Sequence, residues 1–303
     1  MKPQLRKIGI VIPTRNRREE LTNVLQCIMD QDCKINEVIV VDSSDLELTP
    51  PNFAKTETKF SYIYTNIRSA AEQRNIGKRS LNSEIDFIAF LDDDISIERD
   101  YFSKLLDIFA SSDVIGASGV AINRKLSKRR TKPFGFSGFI HKLFLLDSNK
   151  DGILLKSGVN IPIRSDKSEE NVVDWLIGCA MWRSFSIKDL EFESDFKGQS
   201  LAEDVIFSVR AGERGKLITN PSIIINHYES EIERPNKVAH YQMWVVNRRR
   251  LIQVMGGGLA RLFAFQLANL GQALIFVYVG LKGDRSNFNI AKQIFMSSFK
   301  SGK

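Results

Sequence analysis

The chain of 303 residues lacks the cysteine patterns on which disulfide frameworks and zinc sites depend. Its three cysteines, Cys27, Cys33 and Cys179, do not have metal-ligand spacing, and their odd number argues against a set of paired disulfides. The N-terminus also lacks a long apolar segment followed by a cleavage site, which a secretory leader would have. We therefore expect a protein of the reducing cytoplasm.

Motifs for nucleic-acid binding are missing as well. The net charge of +7 and the pI near 9.2 favour a polyanionic partner. Because the sequence has neither zinc-finger spacing nor the aromatic motif of RNA-recognition domains, we expect no nucleic acid. An anionic membrane surface or a phosphorylated substrate remains. The 43% hydrophobic content and the absence of low-complexity tracts predict a folded α/β protein, as one large domain or one domain with an appendage.

Three short apolar runs in the first ninety residues each end in polar side chains. Between them lie segments with apolar residues at helical spacing, so the pattern predicts parallel βαβ units. Ligands of such sheets bind beyond the carboxyl ends of the strands. The polar segments should therefore converge on one crevice. They are Pro13-Thr14-Arg15-Asn16 after Ile8–Ile12, Asp42 after Glu37–Val41, and Asp92-Asp93-Asp94 after Phe87–Leu91.

The Asp92-Asp93-Asp94 cluster is the most informative of these segments. Three carboxylates beside a buried strand repel one another unless a cation or hydrogen-bond donors share their charge. Carboxylate oxygens suit Mg²⁺ or Mn²⁺, whose remaining ligands are commonly substrate phosphates. A solvated acidic turn is the alternative.

The C-terminal part has a different character. Residues 259–281 form a long apolar segment, interrupted by polar residues, with Arg248, Arg249 and Arg250 upstream and further bases downstream. The segment is long enough to cross a bilayer, but its polar residues suggest one wetter stripe, which favours a helix lying in a membrane interface. A spanning helix and a helix packed on the protein core remain open. The basic stretch 123–132 is either a solvated loop or a lid or contact for an anion.

Taken together, several segments resemble the family 2 glycosyltransferases with the GT-A fold, over about the first three quarters of the chain. They occur in the order typical of that family, which is more specific than any one of them. The segments are Ile10-Val-Ile-Pro-Thr-Arg-Asn16, Val38-Ile-Val-Val-Asp-Ser-Ser44, Ala70-Ala-Glu-Gln-Arg-Asn-Ile-Gly77, Phe90-Leu-Asp-Asp-Asp94, Trp175-Leu-Ile-Gly-Cys-Ala-Met-Trp182 and Glu203-Asp204.

The resemblance implies a mostly parallel GT-A sheet flanked by helices, and a helical C-terminal extension. We expect a catalytic domain over residues 1–228, with a nucleotide-binding half to about 95 and an acceptor-side half from 96, and an extension over 229–303. It also implies an inverting, metal-dependent transfer from a nucleotide-diphosphate sugar, with UDP favoured and dTDP possible.

The resemblance implies roles for individual residues on the donor side. The nucleotide would be held by Pro13, Thr14, Arg15, Asn16, Asp42 and Arg74. Asp92 would lie near the ribose and contribute to the metal site, and Asp94 would bind the metal. Asp93, between them, would belong to the donor site, and a shift of one position is still open. His227, at another strand end, is either a further metal ligand or the partner in a local hydrogen bond.

On the acceptor side, Asp204 matches the family's general base, which takes the proton of the attacking hydroxyl. Glu203 would orient the acceptor or cap a helix. Gly178, Trp175 and Trp182 would shape the acceptor pocket, although buried core aromatics are the commoner case.

The expected function is transfer of a single sugar to a glycan or lipid-linked glycan in bacterial surface polysaccharide assembly, at the inner face of the cell membrane. The Gln-x-x-Arg-Trp motif and multiple spans of processive synthases are missing. A nucleotidyltransferase would need a glycine-rich, lysine-bearing loop where Pro13–Asn16 stands. A catalytically silent binding module at the membrane is the other alternative, which intact Asp94 and Asp204 oppose. Sugar, linkage and oligomeric state stay open.

Overall fold

A computed structural model describes residues 6–47, 57–123, 135–164, 169–194, 201–228 and 236–299. The chain forms two compact units. The sheet unit comprises Met1–Arg129 and Asp166–Glu233, and the helical unit comprises Arg130–Ser165 and Arg234–Lys303. The basic stretch 123–132 lies, apart from Asn123, outside the described residues.

The division differs from the expected boundary at residue 228, because Arg130–Ser165 belongs with the C-terminal helices. Leu146, Val159 and Ile161 of this insertion are buried in one cluster with Ala268. Apolar side chains that are dispersed in the sequence thus find their partners more than a hundred residues away. Periodicity along the chain does not contain that information.

The sheet unit holds the strands and four helices. The strands are β1 (Ile8–Thr14), β2 (Glu37–Asp42), β3 (Lys59–Tyr64), β4 (Phe87–Phe90), β5 (Ile95–Ile97), β6 (Val114–Asn123), β7 (Asn171–Val173), β8 (Ala180–Arg183) and β9 (Lys216–His227). The helices of this unit are α1 (Arg18–Met29), α2 (Ala70–Ser80), α3 (Tyr101–Ile108) and α5 (Glu203–Gly212), and a short 3₁₀ helix covers Ser184–Ile187.

The strands form one sheet in the order β3-β2-β1-β4-β8-β6-β9-β5, with β7 also paired to β9. The first four strands in this order are parallel, as the sequence predicts. Strand β8 then runs antiparallel to both β4 and β6, so the sheet is mixed beyond that point. The α/β class with flanking helices is confirmed, and the parallel part lies within residues 1–95, for which nucleotide binding stays a prediction.

Both faces of β1, β2 and β4 are buried, which explains their continuous apolar runs, whereas the edge strand β3 is partly exposed. Strand β1 is buried along its whole length, including Pro13 and Thr14, and so extends two residues beyond the predicted end. Gly77 of α2 lets that helix lie directly on β1, since a Cβ there would be 2.3 Å from a methyl carbon of Val11. This close packing fixes α2, and with it Arg74, beside the strand ends.

The helical unit contains α4 (Gly135–Leu143), α6 (Lys237–Val254), α7 (Leu259–Leu281) and α8 (Asn287–Ser298). Its core is formed by buried side chains of the last three helices, among them Val245, Phe265 and Ile294. The side chain of Asn236 caps α6 by accepting a hydrogen bond from the Ala239 amide at 2.9 Å. Helix α7 has the bounds that the sequence predicts.

Candidate active site

Asp92, Asp94 and His227 come together at the carboxyl edge of the parallel strands. The acids follow β4, and His227 ends β9, whose pairing with β5 places His227 opposite Ile95. His227 Nε2 lies 2.9 Å from Asp94 Oδ1. One ligand atom from each of the three residues lies within 4.8 Å of the other two. The three residues predicted as metal ligands therefore form a group that can hold one ion.

The geometry fits a small divalent cation. Ligands about 2.1 Å from an octahedral ion are separated by about 3 Å when they are neighbours, which is close to the His227–Asp94 separation of 2.9 Å. Carboxylates are typical ligands of Mg²⁺ and Mn²⁺, and the imidazole offers one nitrogen donor in addition. Without an ion, the same distance is a hydrogen bond, so both interpretations of His227 are compatible with this contact.

Asp93 faces a different set of partners. It is buried and accepts hydrogen bonds from Thr14 Oγ1 and from Arg17, both at 2.8 Å. Burial raises its pKa to about 7, and the charge of Asp94 adds to the rise, while Arg17 opposes it. Asp93 thus ties the end of β1 to the acidic turn, whereas Asp92 and Asp94 are the two acids that lie together with His227.

The segment after β1 forms a turn stabilised by β2. Arg15 donates to the Ser43 carbonyl at 2.6 Å and to Asp45 at 3.0 Å. Asn16 has a positive φ of 54° and exchanges hydrogen bonds with Asp45, each at 3.0 Å. Asparagine tolerates this left-handed conformation better than most residues. The predicted nucleotide-binding turn is therefore rigidly shaped.

Asp42 is completely buried. Its carboxylate accepts hydrogen bonds from the Ser44 amide and hydroxyl and from the Tyr62 hydroxyl. These contacts shape the floor of the crevice at the end of β2. A direct contact between Asp42 and a nucleotide, as the resemblance implies, would require at least one of these partners to give way.

Arg74 links the metal-side acids to helix α5. Its guanidinium donates to Asp92 Oδ1 at 2.6 Å and pairs with Glu203. Both Arg74 and Glu203 are buried, so this ion pair is shielded from solvent. The structure therefore gives Arg74 a positioning contact that the sequence did not indicate.

Glu203 and Asp204 open α5 from a strained backbone. Ala202 has a φ of 68°, a left-handed conformation that is unfavourable for a residue with a Cβ. Asp204 Oδ1 accepts the Val205 amide at 2.8 Å. The Asp204 carboxyl lies among protein atoms, although the residue keeps partial solvent access, and this burial raises its pKa to about 6. A carboxylate with such a pKa suits proton transfer near neutrality.

Of the three residues predicted for the acceptor pocket, Gly178 lies nearest to the acids. A Cβ at Gly178 would be 3.3 Å from an Arg74 nitrogen and 3.8 Å from the Asp92 carboxylate. Trp182 is buried in β8 and contacts Phe207 edge to face at 5.1 Å, so it packs in the core. Trp175 is buried as well. The core alternative for the indoles therefore describes Trp182 better than stacking on a sugar.

Arg17 is a site residue that the sequence interpretation missed. One of its Nη atoms lies 2.8 Å from Asp93 and 3.6 Å from Asp94. The basic run from Arg15 to Arg18 signals cations near the first strand end, but it does not tell which of them turns inward. The path of the backbone into α1 determines that Arg17 is the arginine that faces these acids.

The sheet order and the acids at the strand ends are typical of a GT-A type domain, and solved structures share this fold. The mannosyltransferase PcManGT from Pyrobaculum calidifontis, in complex with GDP-Man and Mn²⁺, matches with a TM-score of 0.56 and 13% identity, over 96% of this chain and 85% of that one. S. aureus TarS 1–349 in complex with UDP-GlcNAc matches with a TM-score of 0.52 and 16% identity, over 97% and 82%.

Residues 9–171 match the model of glycosyl transferase family 2, and the chain belongs to that family. An uncharacterized glycosyltransferase of Haemophilus influenzae is 32% identical over 106 residues, 33% of this chain and 34% of that protein. The chain thus spans about a third of the length of this curated relative. The resemblance drawn from the sequence motifs is confirmed.

Proposed function

We propose that the protein is an inverting glycosyltransferase that moves one sugar from a nucleotide-diphosphate sugar to an acceptor hydroxyl. One observation carries this proposal. Asp92, Asp94 and His227 offer ligand atoms within 4.8 Å of one another at the carboxyl edge of the sheet, and Arg74 connects this group to the start of α5, where Asp204 lies. This arrangement supports a cation site and a general base at one edge of the sheet.

The donor side of this proposal uses the turn after β1, the end of β2 and the acids. The turn formed by Pro13–Asn16 and the floor at Asp42 would hold the nucleoside. Asp92, Asp94 and His227 would hold Mn²⁺ or Mg²⁺, which supplies Lewis acidity toward the diphosphate as it leaves. Arg17 is close enough to Asp93 and Asp94 to balance part of their negative charge.

Asp204 would act as the general base. The acceptor hydroxyl transfers its proton to the Asp204 carboxylate while its oxygen forms a bond to the anomeric carbon. The bond from that carbon to the diphosphate oxygen breaks, and the nucleoside diphosphate leaves with the electron pair. Attack from the face opposite the leaving group inverts the configuration. Glu203 would hold Arg74 in place, and Arg74 would in turn position Asp92 relative to Asp204.

Related structures support a sugar nucleotide as donor but do not narrow the choice of nucleobase, since PcManGT was solved with GDP-Man and TarS with UDP-GlcNAc. We favour a UDP-sugar, with a dTDP-sugar as the alternative. The acceptor in this proposal is a glycan or lipid-linked glycan in bacterial surface polysaccharide assembly, and its hydroxyl must reach Asp204.

Release of nucleoside diphosphate from a panel of UDP-, dTDP- and GDP-sugars, with and without Mn²⁺, tests the function. We expect release from one donor class, dependent on the cation and increased by an acceptor. Release of pyrophosphate from a nucleoside triphosphate would instead identify a nucleotidyltransferase. Failure of every sugar nucleotide to bind in calorimetry would contradict the proposal.

A further inference from the structure

The helical unit carries an unusual charge distribution. Between residues 236 and 299 the sequence contains eight lysines and arginines but a single acid, Asp284. This excess of seven positive charges equals the net charge of the whole chain, +7. The rest of the chain taken together therefore has no net charge, so residues 236–299 of the helical unit account for the net basic character.

Helix α7 has a buried apolar face toward its neighbours and a second apolar face that is exposed. Large apolar residues recur along one side at intervals of three, four and seven positions, and all are at least 45% exposed: Leu259, Phe263, Leu270, Leu274, Tyr278 and Leu281. We call this row the apolar stripe. On the inner side, Asn269 is 2% exposed and accepts a hydrogen bond from the buried Arg248. A continuous row of exposed large apolar side chains is unusual for a helix on a water-soluble protein.

The inner contacts of α7 tie it to its neighbours. Gln266 donates to the Ser298 carbonyl at 3.0 Å, and Arg249 of α6 donates to the same carbonyl at 2.9 Å. Arg248 also stacks on Trp244 at 3.9 Å. A bilayer crossing by α7, which is long and apolar enough for one by length and composition, would break these contacts or carry Arg248 and Arg249 into the hydrocarbon.

Bases occur at both ends of the apolar stripe. Arg261 lies near its start, and Lys282 and Arg285 lie just beyond its end. The Lys282 ammonium lies 4.6 Å from the ring of Tyr278. A spanning helix would place these two groups of bases on opposite sides of the membrane, whereas a helix in the membrane plane brings both to one anionic surface.

We propose that the helical unit docks on an anionic lipid surface, with α7 in the interfacial plane and the apolar stripe inserted. Charge complementarity favours an anionic lipid surface over an apolar protein as the partner of the stripe. An apolar protein partner would satisfy the stripe but would leave the uncompensated bases around it without opposite charges. Anionic headgroups above an acyl layer satisfy both features.

Flotation of the full-length protein with lipid vesicles tests this proposal. We expect binding to vesicles of phosphatidylcholine with about one third phosphatidylglycerol, weak binding to phosphatidylcholine alone, and weaker binding as salt increases. Equal binding to both vesicle types, or none to either, would overturn it. Extraction by detergent alone, with resistance to high salt and alkaline carbonate, would show a spanning helix and would also overturn it.

A pair of variants distinguishes binding through the apolar stripe from nonspecific hydrophobic adsorption to lipid. Phe263→Glu with Leu259→Glu changes two stripe residues that are 71% and 86% exposed. Phe185→Glu with Leu46→Glu makes the same chemical changes in the sheet unit, at residues that are 73% and 82% exposed. We expect the stripe variant to lose vesicle affinity by about tenfold or more and the control to keep it. Equal affinities for the two variants would contradict the proposal.

A third variant, Arg261→Gln with Lys282→Gln and Arg285→Gln, keeps the apolar surface. It should lose the preference for anionic vesicles, and unchanged preference would contradict the role of these bases. Analytical sedimentation without lipid tests whether a second copy of the chain binds the apolar stripe instead. A wild-type dimer that becomes a monomer in the stripe variant would show such self-association and overturn the proposal. Vesicle binding does not depend on sugar transfer, so this test and that of the proposed function can fail separately.

Discussion

The two units of the chain use charge in opposite ways. In the sheet unit, acids and arginines are interlocked at the strand ends, as in the contacts of Arg17 with Asp93 and of Arg74 with Asp92 and Glu203. In residues 236–299 of the helical unit, eight bases occur with a single acid, and one arginine, Arg248, is buried against aromatic rings. Ion pairs fix side chains in place for chemistry, whereas an excess of positive charge at a surface attracts a negatively charged partner.

The comparison also explains which contacts tolerate change. A buried ion pair is costly to break on one side only, because the remaining charge is left without a partner in a medium of low polarity. Exposed bases around the apolar stripe are hydrated and act additively. Substitutions in the sheet unit should therefore have large, specific effects, and those in the helical unit should have smaller, cumulative ones.

The largest effect is expected for Asp204→Asn. Asparagine keeps the contact with the Val205 amide but cannot accept the proton of the acceptor, so kcat should fall by about 10²- to 10⁴-fold. Binding of Mn²⁺ and donor, measured by calorimetry, should persist. The control is Glu213→Gln, an exposed acid at the other end of α5. Retained turnover in Asp204→Asn would remove this residue from the mechanism.

Arg74→Met should be the most destabilising of these changes. It leaves Glu203 buried without its cationic partner, at a cost of about 3–5 kcal/mol in the free energy of unfolding. Urea denaturation measures the loss. The double variant Arg74→Met with Glu203→Gln should recover much of it, because no buried charge remains. Additive losses in the double variant would show that the pair does not act as a unit.

His227→Ala should weaken Mn²⁺ binding by about 10- to 100-fold while leaving the fold intact. If His227 serves only as a hydrogen-bond partner of Asp94, the affinity for Mn²⁺ will be nearly unchanged. Titration calorimetry distinguishes the two outcomes, with His240→Ala in the helical unit as a control for histidine removal in general.

Asp204 should also leave a smaller signature in the pH dependence of stability. Its pKa in the folded protein is raised to about 6, above the unfolded value of about 3.9. The folded state therefore binds more protons between these values, and stability is lost as the pH rises from 4 to 6. Asp204→Asn should be more stable than wild type by about 1–3 kcal/mol at pH 8. The gain should vanish near pH 4, and a gain independent of pH would contradict the raised pKa.

Much of the structure of the sheet unit could be predicted because the sequence signals for its strands and strand ends are local. Apolar runs that end in Asp42 or Asp92 specify a buried strand and the chemistry at its end together. The contact of Arg74 with Glu203 could not be predicted, because it depends on how closely α2 lies on β1 at Gly77. Nor does spacing reveal that Trp182 points into the aromatic core.

In the helical unit, the sequence predicted α7 but not its orientation. The polar residues of this helix suggested a water-facing stripe, whereas Gln266 and Asn269 are bonded to α8 and α6. Hydrophobic periodicity identifies two faces of a helix but does not tell which one faces inward when both neighbours and lipid are candidates. The tertiary contacts of Arg248 and Ser298 decide that question.

The proposed activity rests on the capacity of Asp92, Asp94 and His227 to hold a divalent cation. Calorimetric titration of Mn²⁺ into wild type and Asp94→Asn, with and without UDP, measures this capacity directly. We expect saturable binding of one ion that UDP tightens, with both effects lost in Asp94→Asn and kept in the control Asp107→Asn, an exposed acid on α3. Wild-type protein that binds UDP equally well without Mn²⁺, and binds no ion, would contradict the account.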